Sequence, residues 1–83
     1  MAYISVGYGN LVNAEKINAI STMGSAPIRR IIKEAKKRQQ CIDVTEGSKT
    51  SSVIFLIDGY IILSAFTPET LQKRLEKVEK NNE

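Results

Sequence analysis

The chain has 83 residues, with twelve Lys and Arg against nine Asp and Glu, no histidine, a single cysteine and a formal net charge of +3. This length predicts one domain over residues 1–83, with a small core and little stability to spare without a staple or a partner. An internal disulfide is excluded, as are histidine-dependent nucleophile–base pairs and the usual metal constellations. The expectation is therefore a protein with no cofactor and no metal that is not an enzyme.

Residues 3–6 are rich in β-formers and predict a short strand, after which Gly7-Tyr8-Gly9-Asn10 turns or bulges the chain. A lone Gly-x-Gly with no further glycine opening a helix does not make a dinucleotide site. Leu11, Val12, Ala14, Ile17 and Ile20 suit either a helix or two short strands broken near Glu15, and the β-rich neighbours favour strands. Residues 25–38 predict a helix. Residues 41–45 then predict a strand, 46–50 a turn, and 51–58 its partner strand. Asp58-Gly59 predicts a tight turn into a further strand at 60–65. Thr67 and Pro68 open a last helix with a sparse apolar stripe of Leu71, Leu75 and Val78. Its Lys73, Arg74, Lys77 and Lys80 are interleaved with Glu69, Glu76 and Glu79, which reads as a solvated face of mixed charge. Residues 81–83 are expected to fray. The sum is an α+β fold: a small antiparallel β-sheet with one central basic helix and one C-terminal helix.

The central helix holds the most informative residues. Ser25 can accept from the first free backbone amides, and Pro27 needs no donor in the first turn. Ile28, Ile31, Ile32 and Ala35 form one apolar stripe. Six of the twelve Lys and Arg residues lie here against the single Glu34, a local charge of +5. At about 100° per residue, Lys36, Arg29, Lys33, Lys37 and Arg30 share an arc roughly 120° wide. A face kept only for solubility usually mixes signs, and this arc has no acid. The remaining residues carry six basic and eight acidic groups, so the molecule is polarised and a polyanionic partner is expected.

Residues 53–57 and 61–63 are apolar without alternation, whereas a half-exposed antiparallel strand alternates. Both faces of these strands must be covered. The helix stripe covers one, and a neighbouring subunit is the expected cover for the other, the alternative being a monomer whose two helices sandwich the sheet. Val53, Phe55, Ile57, Ile61 and Leu63 are accordingly the expected interface of an oligomer larger than a dimer. The apolar runs are far too short to cross a membrane. Cys41, at the start of a strand, is expected to be a buried free thiol. One cysteine and no secretory signal point to the cytoplasm, with no membrane partner.

Several blocks together resemble the RemA family of bacterial extracellular-matrix gene regulators. They are Val6-Gly7-Tyr8-Gly9-Asn10, then Ser25-Ala26-Pro27-Ile28-Arg29-Arg30, then Ile42-Asp43-Val44-Thr45 with Gly47. Ile62-Leu63-Ser64-Ala65 follows, running into Thr67-Pro68-Glu69-Thr70. The similarity covers about residues 3 to 75 without a large insertion. It implies a small cytoplasmic DNA-binding transcription regulator that assembles into a ring-like homo-oligomer, with a link to biofilm matrix genes. It also implies basic contacts outside the helix. Lys16 stands where the family usually has arginine. Ser48 and Lys49 stand where it commonly has an arginine pair, and Ser51 stands where a basic residue is frequent. Lysine offers a mobile point charge and serine a neutral hydrogen bond, so the grip on phosphate is altered.

The expected duplex-DNA contacts are Lys16, Arg29, Arg30, Lys33, Lys49 and the adjacent Thr50, all directed mainly at phosphates. No aromatic lies in the basic helix, and no helix-turn-helix is present, so neither single-strand stacking nor a reading helix is expected. The competing reading is a scaffold or protein-interaction oligomer whose basic helix docks an acidic protein, and the serine at position 48 favours it slightly. Catalysis would have to rest on Asp43, Glu46 or a lone lysine without convergent partners. Asp43 reads instead as a strand-end or turn-capping residue.

Overall fold

Gly7, Tyr8 and Gly9 all take positive φ angles (118°, 52° and 80°), the region that glycine enters without penalty. In the computed structural model, which describes residues 2–81, they fold β1 (Tyr3–Gly7) back on β2 (Asn10–Asn13) as an antiparallel hairpin with a bulge between Ser5 and Gly7. The Asn10 side-chain amide donates to the carbonyls of Gly7 (2.9 Å) and Tyr8 (3.3 Å) and closes the turn. A single 3₁₀ turn (Ala14–Lys16) then separates β2 from β3 (Ile17–Ser21), so the ambiguous stretch is two strands broken at Glu15.

The remaining strands are β4 (Cys41–Asp43), β5 (Ser52–Leu56) and β6 (Ile61–Ser64), and the helices are α1 (Ala26–Lys37) and α2 (Pro68–Asn81). Four strands make one sheet in the order β3-β5-β6-β4. β5 pairs antiparallel with β3 and β6, and β4 lies parallel to β6. Hence β3 and β4 occupy opposite edges, and α1 carries the chain between them. A helix of twelve residues is about 18 Å long, enough to cross four strands spaced by about 4.8 Å. The tight β5–β6 hairpin fills the gap, with Asp58 accepting from the Tyr60 amide (3.1 Å) and Gly59 at φ 93°.

The α+β class is as read from the sequence, but the pairing is not. The strand at 41–45 does not form a hairpin with the strand after it. Because α1 delivers β4 to the far edge, β4 meets β6 in parallel, and the sheet is mixed.

Two cores follow from the alternation of β5 and β6. Ile32 and Ala35 of α1 cover Val53, Ile61 and Leu63, with Ile28, Cys41 and Phe55 half-buried around them. On the opposite face Ile54 and Ile62 pack against Ile4, Val6 and Val12 of the hairpin and Leu71 of α2, together with Val44. The continuous apolar strands thus find both covers in one chain. This corrects the interface expectation for Val53, Ile61 and Leu63: they lie under α1, at most 3% exposed, and present no surface to a neighbour. Phe55 is half-buried, and only Ile57, 60% exposed just beyond β5, stands free on the surface. Ile31 also leaves the expected helix stripe. It lies at the stripe's edge and is 45% exposed.

Two buried serines tie the layers together at one end of the sheet. Ser52 and Ser64 face each other across β5 and β6, both fully buried. Ser64 Oγ donates to the Val6 carbonyl (2.7 Å) and accepts from the Phe66 amide (3.1 Å). Ser52 Oγ donates to the Phe66 carbonyl. Residues 82 and 83 of the expected fraying end lie outside the described residues.

Candidate nucleic-acid interface

The site is built where two connections meet. After β3, the chain enters α1 through Ser25, whose hydroxyl accepts from the Ile28 amide (3.4 Å). This fixes the first turn and places Arg29 beside the end of β3. After β4, Asp43 accepts from the amide and hydroxyl of Thr45 (2.9 and 2.6 Å), and these two bonds hold its carboxyl below the ordinary aspartate range. Asp43 is therefore the strand-end cap that its position suggested. Glu46 and Gly47 then turn the chain through positive φ, and the Ser48 amide closes on the Thr45 carbonyl (2.9 Å). The Ser51 amide is held by the Ser64 carbonyl (2.8 Å). Lys49 and Thr50 thus project between two anchored points.

Arg29, Lys49 and Thr50 line one open groove of about 730 Å³, with Thr22, Thr67 and Glu69. Arg29 and Met23 also border an adjoining depression of about 210 Å³ that reaches Lys33 and Lys36. A continuous basic strip results, drawn from α1 and from the loop before β5. Among the described residues the sole side-chain ion pair is Lys37 with Glu34, at 3.9 Å on the surface of α1. Among the described residues Arg29, Lys33 and Lys49 therefore make no ion pair, whereas Lys36 acts on Asp43 through its charge and Glu69 lies at the margin of the groove.

Two expected contacts lie elsewhere. Arg30 turns to the other flank of α1, where it borders an apolar depression of about 310 Å³ with Ile31, Phe55 and Tyr60. Lys16 precedes β3 at the end where Ile17 pairs with Leu56, while Lys49 and Thr50 precede β5 at the opposite end, where Ser21 pairs with Val53. The five residues of β3 separate the two ends, roughly 17 Å at the usual rise. One chain therefore brings together Arg29, Lys33, Lys49 and Thr50, but not Lys16 or Arg30.

Sequence reasoning missed two features here. Thr67 and Glu69, read only as the start of a helix, form the far wall of the groove. The Tyr8 hydroxyl and Ser48 Oγ are hydrogen-bonded at 2.7 Å, linking the β1–β2 turn to the loop that carries Lys49. Ser48 is thus a tether for that loop. No spacing rule connects residues forty positions apart.

Cys41 is half-buried, not fully buried as expected. Desolvation raises its thiol pKa, opposed by the Lys36 charge and reinforced by Asp43, so the thiol stays protonated at neutral pH. Among the described residues, no cluster of three or more Cys, Asp or Glu could hold a metal ion, and no helix is long and apolar enough to cross a membrane.

A mixed sheet covered by α1 on one face and by α2 with the β1–β2 hairpin on the other makes this a small α+β protein with a basic strip along α1. The profile of the RemA-like family, extracellular matrix regulatory protein A-like, matches residues 3–75. A protein of Bacillus cereus strain AH187 is 42% identical over 83 residues, which is all of this chain and 95% of its own length. Relatives in Bacillus cytotoxicus and in Bacillus mycoides strain KBAB4 are each 43% identical over 79 residues, covering 95% of this chain and 91% of theirs. Each carries the provisional name of a regulatory protein. The chain belongs to the RemA-like family of regulatory proteins.

Proposed function

We propose that this protein is an oligomeric DNA-binding transcription regulator that grips duplex DNA through its phosphates, using the groove shared by Arg29 and Lys49. The observation that carries this reading is the convergence of those two cations, from separate elements, on one open groove, with no ion pair to either among the described residues. Lys33 extends the strip, and Thr50 adds a hydroxyl. The contacts position a backbone and do not read base edges, so sequence preference comes from DNA shape and bending. Lys16, at the far end of β3, reaches a separate stretch of backbone.

Repetition of a weak strip supplies affinity through avidity. The surface available to a second copy is the depression between α1 and the β5–β6 turn, lined by exposed Ile31 and Tyr60 and half-buried Phe55, together with exposed Ile57 just beyond β5. This surface replaces the core residues first expected there.

The test is fluorescence anisotropy with a labelled duplex several tens of base pairs long, at rising salt, with light scattering on the same samples. The expected result is binding at low salt whose log–log slope falls by about 0.9 per phosphate contacted, and a particle larger than a dimer. A monomer that shows no binding at low salt contradicts both parts.

A further inference from the structure

The charges of α2 alternate in sequence but are sorted in space. Lys73, Arg74 and Lys77, all exposed, line an open groove between α2 and β1, and no acid lines it. The acids of the same helix are elsewhere. Glu69 borders the groove beside α1, Glu76 accepts from the Gln72 amide (3.2 Å), and Glu79 borders the depression on the β3 side. Lys73 and Lys77 make no ion pair among the described residues, and the Arg74 guanidinium sits 4.7 Å from the centre of the Phe66 ring. Leu71, Leu75 and Val78 pack into the core, and among the described residues α2 exposes no large apolar side chain.

We infer that this face of α2 is a second phosphate-binding strip, by which the protein holds a second duplex and bridges two DNA segments. The inference rests on the DNA-binding reading above. Lys73 and Lys77 stand one helical turn apart, as Arg29 and Lys33 do in the strip beside α1. That rise of about 6 Å is close to two phosphate steps along one strand, about 3.4 Å each. The composition of the face selects DNA among large anionic partners. The core of a protein–protein interface is depleted of lysine, whereas protein–DNA interfaces are polar and strongly basic. A membrane surface would need an apolar helix face, and that face of α2 is already packed in the core. A single straight duplex does not reach both strips. α1 and α2 cover opposite faces of the sheet, about 20 Å apart at the usual layer spacing of about 10 Å. The first turn of α2 borders one groove and its later turns the other, with Glu69 at the changeover, so no continuous basic track leads one duplex around.

The test is a bridging assay. The protein is loaded at low salt on a bead-bound duplex, and capture of a second, fluorescent duplex is read. Binding to one duplex is measured separately by anisotropy, and particle size by light scattering. The parent is expected to capture the second duplex. The double variant Lys73→Ala/Lys77→Ala alters only exposed side chains, so its melting temperature and particle size should match the parent. It should bind one duplex within about twofold of the parent but capture at least about tenfold less of the second, as expected for two lost charge-assisted contacts. Capture equal to the parent's overturns the second strip and assigns bridging to copies of the α1 strip. An equal loss of single-duplex binding overturns the separation of the two strips. Fluorescent poly-glutamate captured as well as the duplex, and released by the same substitutions, overturns the choice of DNA. A parent that binds one duplex and captures no second overturns the inference alone, whereas a parent that binds none overturns the regulator reading with it.

Discussion

α1 and α2 lie on opposite faces of one sheet, and their charges are organised in opposite ways. In α1 the basic arc is visible on a helical wheel, because five cations meet one acid within twelve residues. In α2 the wheel reads as mixed, yet β1 receives three cations while Glu79 lines the depression on the opposite flank. A helix face is thus defined by what packs beside it as much as by its own sequence. The covers differ too. α1 covers its side of the sheet as the principal element, whereas α2 shares the other side with the β1–β2 hairpin.

The largest expected effects probe whether the two layers are one cooperative unit. Ile54→Ala empties the core beneath α2 and the hairpin, and Ile32→Ala empties the core beneath α1. Each should cost about 2–5 kcal/mol in denaturant unfolding, with one transition seen by every probe. Separate transitions would show that the faces melt independently. Ser64→Ala is the next largest. It leaves the Val6 carbonyl and the Phe66 amide without their buried partner and should cost about 1–3 kcal/mol by the same measurement. A loss confined to the α2 side, read by amide exchange, would sharpen the contrast between the layers.

Smaller effects come from the exposed loops. Tyr8→Phe removes the tether to Ser48 and should cost about 0.5–1.5 kcal/mol at most. It should also weaken any duplex binding modestly, by freeing the loop that presents Lys49. Asp43 gives the smallest effect, and its sign is defined. Its folded pKa is lowered, so the stability it contributes is present above the ordinary aspartate value and is lost as pH falls through the lowered one. Asp43→Asn should flatten the acid limb of melting temperature against pH and leave the neutral limb parallel to the parent. A steeper acid limb in the variant contradicts that role.

Much of the fold was legible because local chemistry announced it. Ser25 and Pro27 marked α1, Asp58-Gly59 marked the β5–β6 turn, and the glycines around Tyr8 marked the first hairpin. The topology was not legible. β4 has three paired residues, and whether it meets β5 or β6 depends on where α1 sets it down. The second cover of the sheet was missed for a related reason. Ile4, Val6 and Val12 are spread over two short strands, and no single segment displays them as a face. For the site, the basic helix could be read directly, but its meeting with Lys49 could not. That meeting depends on Thr45 and Ser51 being anchored on either side of the loop. Lys16 and Arg30 are equally basic in sequence, and only the sheet's length and the helix's orientation separate them from the strip.

The central claim is that Arg29 and Lys49 form one phosphate-binding surface. Its most direct test is the salt dependence of duplex affinity for Arg29→Ala, Lys49→Ala and the double variant, with particle size checked in each. Both side chains are exposed, so the fold should persist in all three variants. Each single variant should weaken binding across sequences alike and lower the magnitude of the log–log slope by about one per engaged subunit, and the double variant by about two. An unchanged slope in the double variant, with the particle intact and the duplex still bound, would contradict the account and move the DNA to another face.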